Sequence, residues 1–207
     1  MMLDKLGGGV SLPDGFTEVE YIQTSGGQRI DTGINASASI GLSADFQFDS
    51  TGLGQNLAQV YSSTYEYQLT VLTLSRLDSP NGSAMWFACG YLNTLQYLKE
   101  ANNYRHIYHF NADGRYTVEM DEIQYEKADP SQTGFPEGAL TLQLFVCNSI
   151  PMDGYASMKL YSCAIYDSGR KIRDFKPCLD ADGVPCLYDL ISGTAFYNQG
   201  TGSFTWG

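Results

Sequence analysis

A chain of 207 residues with 43% hydrophobic and 17% charged side chains holds enough apolar material for one well-filled core, and it lacks the charge excess of a disordered protein. Its formal net charge of −11, with only 12 Lys+Arg, excludes a nucleic-acid backbone as partner, because phosphate neutralisation needs a basic face. No apolar run is long enough for a membrane-spanning helix.

Residues 1–15 read as a flexible N-terminal arm. Gly7-Gly8-Gly9 is flexible, and Leu12-Pro13-Asp14-Gly15 has Pro and Gly where a turn wants them. Met1 to Leu6 lacks the apolar stretch of a signal peptide, so synthesis in a cytoplasm is expected. Residues 16–207 read as a single domain.

From Phe16 onward the pattern is strand after strand. The 15 Tyr, 10 Phe and 2 Trp favour that state. Leu42, Ala44, Phe46 and Phe48 alternate with Ser43, Asp45 and Gln47, as a strand with one buried face requires. In 67–74 the apolar phase slips between Val71 and Leu72, which predicts a β-bulge. Leu92, Leu95 and Leu98 recur at three, giving 91–102 a helical spacing. Tyr116, Val118 and Met120 oppose Arg115, Thr117 and Glu119, and Asp121-Glu122 reads as a hairpin turn into Ile123-Gln124-Tyr125. Leu140, Leu142, Leu144 and Val146 oppose Thr141, Gln143 and Phe145. Met158 to Tyr166 is apolar on both faces, as in a strand covered on both sides. Turns fall at 79–82, 111–114, 153–154, 167–169 and 180–183. The fold class expected is all-β, a two-sheet antiparallel β-sandwich of jelly-roll type.

Five cysteines stand at 89, 147, 163, 178 and 186, an odd number with no metal-ligand spacing. Reduced thiols in or near the core are expected. Cys178 and Cys186 bracket a turn that a disulfide would close, and their spacing leaves the point open. Asp180-x-Asp182-Gly183 offers hard oxygen ligands, making Asp180 and Asp182 the candidates for a structural calcium; an Asx turn explains the same residues without a metal. His106 and His109 stand three apart on a strand, which sends them to opposite faces and away from a shared zinc. Tyrosine and tryptophan beyond core needs supply flat rings for a sugar or protein partner. Trp86, Tyr91, Tyr104 and Tyr65 are the ligand-binding candidates.

Two end segments carry a family resemblance. Phe16-Thr17-Glu18-Val19-Glu20-Tyr21-Ile22 through Ile30-Asp31-Thr32-Gly33 resembles the opening of laminin-G/concanavalin A-like domains. Lys159-Leu160-Tyr161-Ser162-Cys163, Arg173-Asp174-Phe175, Leu187-Tyr188-Asp189-Leu190 and Phe196-Tyr197-Asn198 resemble their closing pattern. Such domains recur in bacteriophage and prophage structural proteins of tail, fibre or head. The resemblance implies a non-enzymatic virion protein, docked to other virion proteins through its arm, binding host-surface glycan, and forming a homo-oligomer. It implies no cofactor beyond a structural calcium. A bacterial carbohydrate-binding module or surface adhesion domain is the alternative. Asp31, Arg173, Asp174 and Asp189, all inside the resembling segments, are expected to form a structural polar network.

Sandwich glucanases of related architecture carry an acidic strand motif, and Glu119-Met120-Asp121-Glu122 resembles its first half. A retaining hydrolase needs a second carboxyl about 5–5.5 Å from the first. Ile123 and Gln124 stand where it would follow, so no catalytic residue is assigned.

Overall fold

The computed structural model describes residues 11–35, 37, 39–50, 55–61, 67–75, 84–91, 95–111, 116–127, 141–145 and 156–207, several central strands by backbone alone. The strands are β1 (Thr17–Glu18), β2 (Ile22–Ser25), β3 (Ile30–Asn35), β4 (Ile40–Phe48), β5 (Ala58–Tyr61) and β6 (Tyr67–Ser75). There follow β7 (Ala84–Tyr91), β8 (Leu95–Glu100), β9 (Arg105–Asn111), β10 (Tyr116–Met120), β11 (Ile123–Lys127) and β12 (Thr141–Leu144). The last are β13 (Ser157–Asp167), β14 (Arg170–Leu179), β15 (Pro185–Asp189), β16 (Thr194–Phe196) and β17 (Thr205–Trp206).

They form two antiparallel sheets. The larger, of 11 strands, runs β11-β10-β9-β4-β13-β14-β15-β16, with β1 on β14 and β2 between β13 and β17. The smaller, of 6, runs β3-β12-β5-β6-β7-β8. The protein is an all-β, two-sheet sandwich of jelly-roll type.

Period two explains the core. β4 buries Leu42, Ala44, Phe46 and Phe48 and leaves Ser43, Asp45 and Gln47 half-exposed. Tyr108 and Phe110 of β9, Val118 and Met120 of β10, and Leu160 and Ile165 of β13 join the same cluster. Ile30, Leu142, Leu144, Met85 and Leu98 answer from the smaller sheet. Each fully buried Leu, Ile or Phe contributes about 1.5–3 kcal/mol by leaving water.

Three readings change. The spacing of three at Leu95 and Leu98 belongs to a strand, β8, paired with β7. Trp86 faces Tyr97 while Met85 faces Lys99, so Leu98 is the extra residue of a bulge: period two plus one looks like a helical step. Met158 to Tyr166 is covered on both sides only over Cys163, Ala164 and Ile165, all three buried. Its inward set passes from Met158 and Leu160 to Cys163 and Ile165 across a register shift between Leu160 and Ser162, so two phases of one face read as two faces. Phe145, expected opposite Leu144, is also buried, because a φ of +68° swings it inward against Phe204. For an aromatic residue that backbone is a strained outlier.

Elsewhere the phase slip in 67–74 is a bulge between Thr70 and Thr73. Pro13–Phe16 is a turn closed by Phe16 N–H donating to the Pro13 carbonyl at 3.2 Å. Of the turns read from sequence, 167–169 and 180–183 are described; 79–82, 112–114 and 153–154 lie outside the described residues, as do residues 1–10 of the arm.

The two resembling end segments meet. β2 lies between β13 and β17, with Ile22 opposite both Leu160 and Trp206. Thr24, fully buried, donates its hydroxyl to the Ala156 carbonyl at 2.6 Å and accepts the Met158 amide at 3.1 Å. At Gly200 a Cβ would overlap the Gly27 carbonyl oxygen, so only glycine lets the C-terminal loop lie on the 26–29 turn.

Candidate functional site

Alternation along β9 sends Arg105, Ile107 and His109 outward and His106, Tyr108 and Phe110 inward. β10 adds Glu119 outward, opposite His109, and the β10–β11 turn adds Asp121 and Glu122. These six outward groups line an open depression of about 560 Å³ on the solvent face of the larger sheet.

Asp121 anchors its rim. Its Oδ2 lies 2.7 Å from His106 Nδ1 and accepts from Lys99 Nζ at 2.8 Å; its Oδ1 accepts the Ile107 amide at 3.1 Å. The second nitrogen of His106, Nε2, lies 2.8 Å from Asn102 Oδ1, which also accepts the Tyr104 amide. Burial works to raise the Asp121 pKa, but the bonds from Lys99, His106 and Ile107 outweigh it and hold the carboxyl below its usual range. Burial pushes the His106 pKa down; Asp121 opposes this without overcoming it, and the Lys99 charge adds to it. The turn at Asp121 and Glu122 has φ of +51° and +68°, a pair of left-handed residues of the type that closes a two-residue hairpin.

Beside the depression lies a ladder of rings and cations. The Arg105 guanidinium stacks 3.7 Å from the Tyr161 ring centre and bonds both oxygens of Asp45, at 2.7 and 2.8 Å. Tyr161 meets Tyr21 edge-on at 5.5 Å, and Lys159 lies 4.4 Å over Tyr21. Tyr161 also donates to Gln47 Oε1 at 2.9 Å. The bond to Asp45 holds Arg105 firmly protonated.

The residues expected from sequence are spread. Trp86 and Tyr91 lie in β7, with side chains outside the described part, and Tyr65 lies outside it altogether. Tyr104, between β8 and β9, is 71% exposed. His106 and His109 take opposite faces, one buried and one exposed. Arg173, Asp174 and Asp189 come together: Asp189, fully buried, accepts the Asp174 amide at 2.8 Å, the Ile191 and Ser192 amides at 3.1 and 3.2 Å, and pairs with Arg173 Nε at 3.6 Å. Asp31 instead receives the Gly33 amide at 2.9 Å. Arg173 also reaches the Thr32 carbonyl at 3.4 Å, tying β14 to β3.

Asp180 accepts the Asp182 and Val184 amides on Oδ1 and the Tyr197 hydroxyl on Oδ2. The Val184 amide foremost, and Tyr197 with it, hold its pKa down. Among the described residues no three His, Cys, Asp or Glu side chains converge as a metal site.

Lys99, Asn102, His106, Asp121, Thr24 and the Arg105–Tyr161 ladder were not singled out from sequence as partners. One signal was there: His106 occupies an inward slot of β9 that Tyr108 and Phe110 fill with rings, and a polar residue in such a slot must find buried partners.

No known family profile matches the chain, and no curated protein matches it. Among solved structures, a family 16 glycosyl hydrolase from Mycobacterium smegmatis str. MC2 155 is similar, with 13% identity and a TM-score of 0.36. The likeness covers 63% of this chain and 65% of that one, less than two thirds of its length.

Proposed function

We propose that this chain is a non-enzymatic structural protein of a bacteriophage virion, displaying a laminin-G-like sandwich on a fibre, tail or head and engaging host-surface glycan. The virion part of this reading is supported by the likeness of segments 16–33 and 159–202 to such domains. The non-catalytic part is carried by Asp121. The central carboxylate of the acidic run is tied to Lys99, His106 and a backbone amide at a hairpin turn, where it serves as structure. Ile123 and Gln124 stand where the outer acid/base carboxyl of that motif would follow, so Glu119 lacks its acid/base partner there.

The glycan part is supported by the polar and aromatic solvent face of the larger sheet and by the exposed ring of Tyr104.

The deciding measurement is mass spectrometry of purified particles from the phage or induced prophage that carries the gene. The chain is expected at high copy. Its absence from particles, together with glycan binding by the isolated protein, would move the assignment to a bacterial carbohydrate-binding module. Release of sugar from any glycan, lost in Glu119→Gln, would overturn the non-enzymatic reading.

A further inference from the structure

Cys178 of β14 stands directly opposite Cys186 of β15, with their sulfurs 3.4 Å apart. The bonds from Leu190 N–H to the Asp174 carbonyl and from Asp180 N–H to the Val184 carbonyl flank the pair in the same register. Both positions therefore belong to the hydrogen-bonded class, where facing Cα atoms lie about 5.5 Å apart. That is inside the range of roughly 4.4–6.8 Å that a disulfide spans.

The two thiols are not part of the inter-sheet core. Phe175 and Leu187 point into it, so Cys178 and Cys186, in the opposite phase, share the outer face with Lys176 and Tyr188. They are nonetheless fully buried. The Pro13–Phe16 turn lies against this face, with the Phe16 ring 4.8 Å from that of Tyr188, and Tyr197 reaches across to Asp180 at 3.0 Å. A closely apposed thiol pair thus sits under a thin roof formed by the segment that leads into the domain.

We propose that Cys178 and Cys186 are a reversible redox clasp, oxidised to a cross-strand disulfide by a low-molecular-weight disulfide such as oxidised glutathione. The Cys178 thiolate attacks one sulfur of the oxidant, whose S–S bond breaks. The first glutathione leaves as thiolate and takes up the Cys178 proton. The Cys186 thiolate then attacks the Cys178 sulfur, and the second glutathione leaves with the Cys186 proton. Two electrons and two protons pass from the pair to the oxidant, and one S–S bond replaces another. Cys178 is the first nucleophile because the neighbouring Cys186 thiol holds its pKa below the usual thiol value, while the same contact pushes that of Cys186 up.

The test uses the full chain, reduced and then incubated with oxidised glutathione. The tryptic peptide that begins after Arg173 contains both cysteines and no other. It is expected to lose two hydrogens in mass, to regain them with dithiothreitol, and to do both faster in Phe16→Ala, which thins the roof. Oxidation should raise the melting temperature by several degrees in the unaltered chain. In Cys186→Ala it should leave glutathione attached to Cys178 and no such rise. If the peptide keeps two free thiols, or retains glutathione without closing, in both the unaltered chain and Phe16→Ala, the clasp is overturned.

Discussion

Asp121 Oδ2 lies 2.7 Å from His106 Nδ1 and 2.8 Å from Lys99 Nζ, so one carboxylate oxygen joins β9 of the larger sheet to β8 of the smaller. Most inter-sheet contact in a sandwich is apolar, through interdigitating inner faces. A shared carboxylate fixes the offset at this edge. Asp121→Ala strands a buried imidazole, a half-buried ammonium and the Ile107 amide. The expected loss is about 1–3 kcal/mol of unfolding free energy, read as a lower urea midpoint at unchanged slope.

The same pair sets a pH dependence. His106 has its pKa depressed by burial, so the unfolded chain takes up that proton first as the pH falls below the ordinary histidine value of about 6.5. Asp121 is depressed too, and its contribution is lost as the pH falls through its folded pKa, below the ordinary carboxylate range. Both signs agree: acid destabilises. Melting temperature is expected to fall from pH 8 toward pH 3, and His106→Gln should flatten the slope above about pH 5, while the part below pH 4 shrinks only by the share of the Asp121 depression that His106 supplies. A melting temperature that rises on acidification between pH 7 and 5 would show the histidine pKa raised instead.

Asp189 and Asp31, paired in expectation, should behave very differently. Asp189 holds three backbone amides and faces Arg173 with no solvent access. Its replacement by Ala leaves three backbone amides unanswered and a half-buried guanidinium held only by the Thr32 and Ile172 carbonyls, at about 3–5 kcal/mol. Asp31→Ala removes one bond to the Gly33 amide and should cost at most about 1 kcal/mol. Chemical denaturation of both variants reads the contrast, and equal losses would mean that Asp31 belongs to the same network.

Glu122 occupies a left-handed position, φ +68°, in a turn that Asp-Gly sequences prefer. Glu122→Gly should therefore stabilise the protein by about 0.5–1 kcal/mol, despite the general cost of introducing glycine. A melting temperature lower than that of the unaltered chain would place an unrecognised favourable contact on the Glu122 side chain.

Much of the sandwich was legible because alternation is a local signal. Leu42 to Phe48 and Val118 to Met120 show their inward faces without any knowledge of partners. Bulges are where this fails. The one in 67–74 was visible because two phases met within nine residues. The one at Leu98 mimicked a helical step, and the one at Leu160–Ser162 mimicked a strand buried on both faces. Phe145 shows the other failure, since nothing in its neighbours announces a left-handed backbone. The candidate site was less legible because its partners come from separate strands. Lys99, Asn102, His106 and Asp121 are close in sequence, yet only the register of β8, β9 and β10 brings them together. The Arg105–Tyr161 pairing spans larger separations still, and no composition argument selects Tyr161 from 15 tyrosines.

The insertion of β2 between β13 and β17 has a consequence for how the protein is made. Ile22 leaves the ribosome well over a hundred residues before Leu160 and Trp206, its two neighbours in the sheet. At elongation rates of about 5–20 residues per second this strand waits on the order of ten seconds without either partner. The larger sheet therefore cannot assemble in the order of synthesis. Its closure needs chain from both ends, and folds dominated by such distant pairings form slowly as a class. A chain stalled or cleaved before residue 157 would present β2 as an open edge, ready to pair with whatever strand it meets.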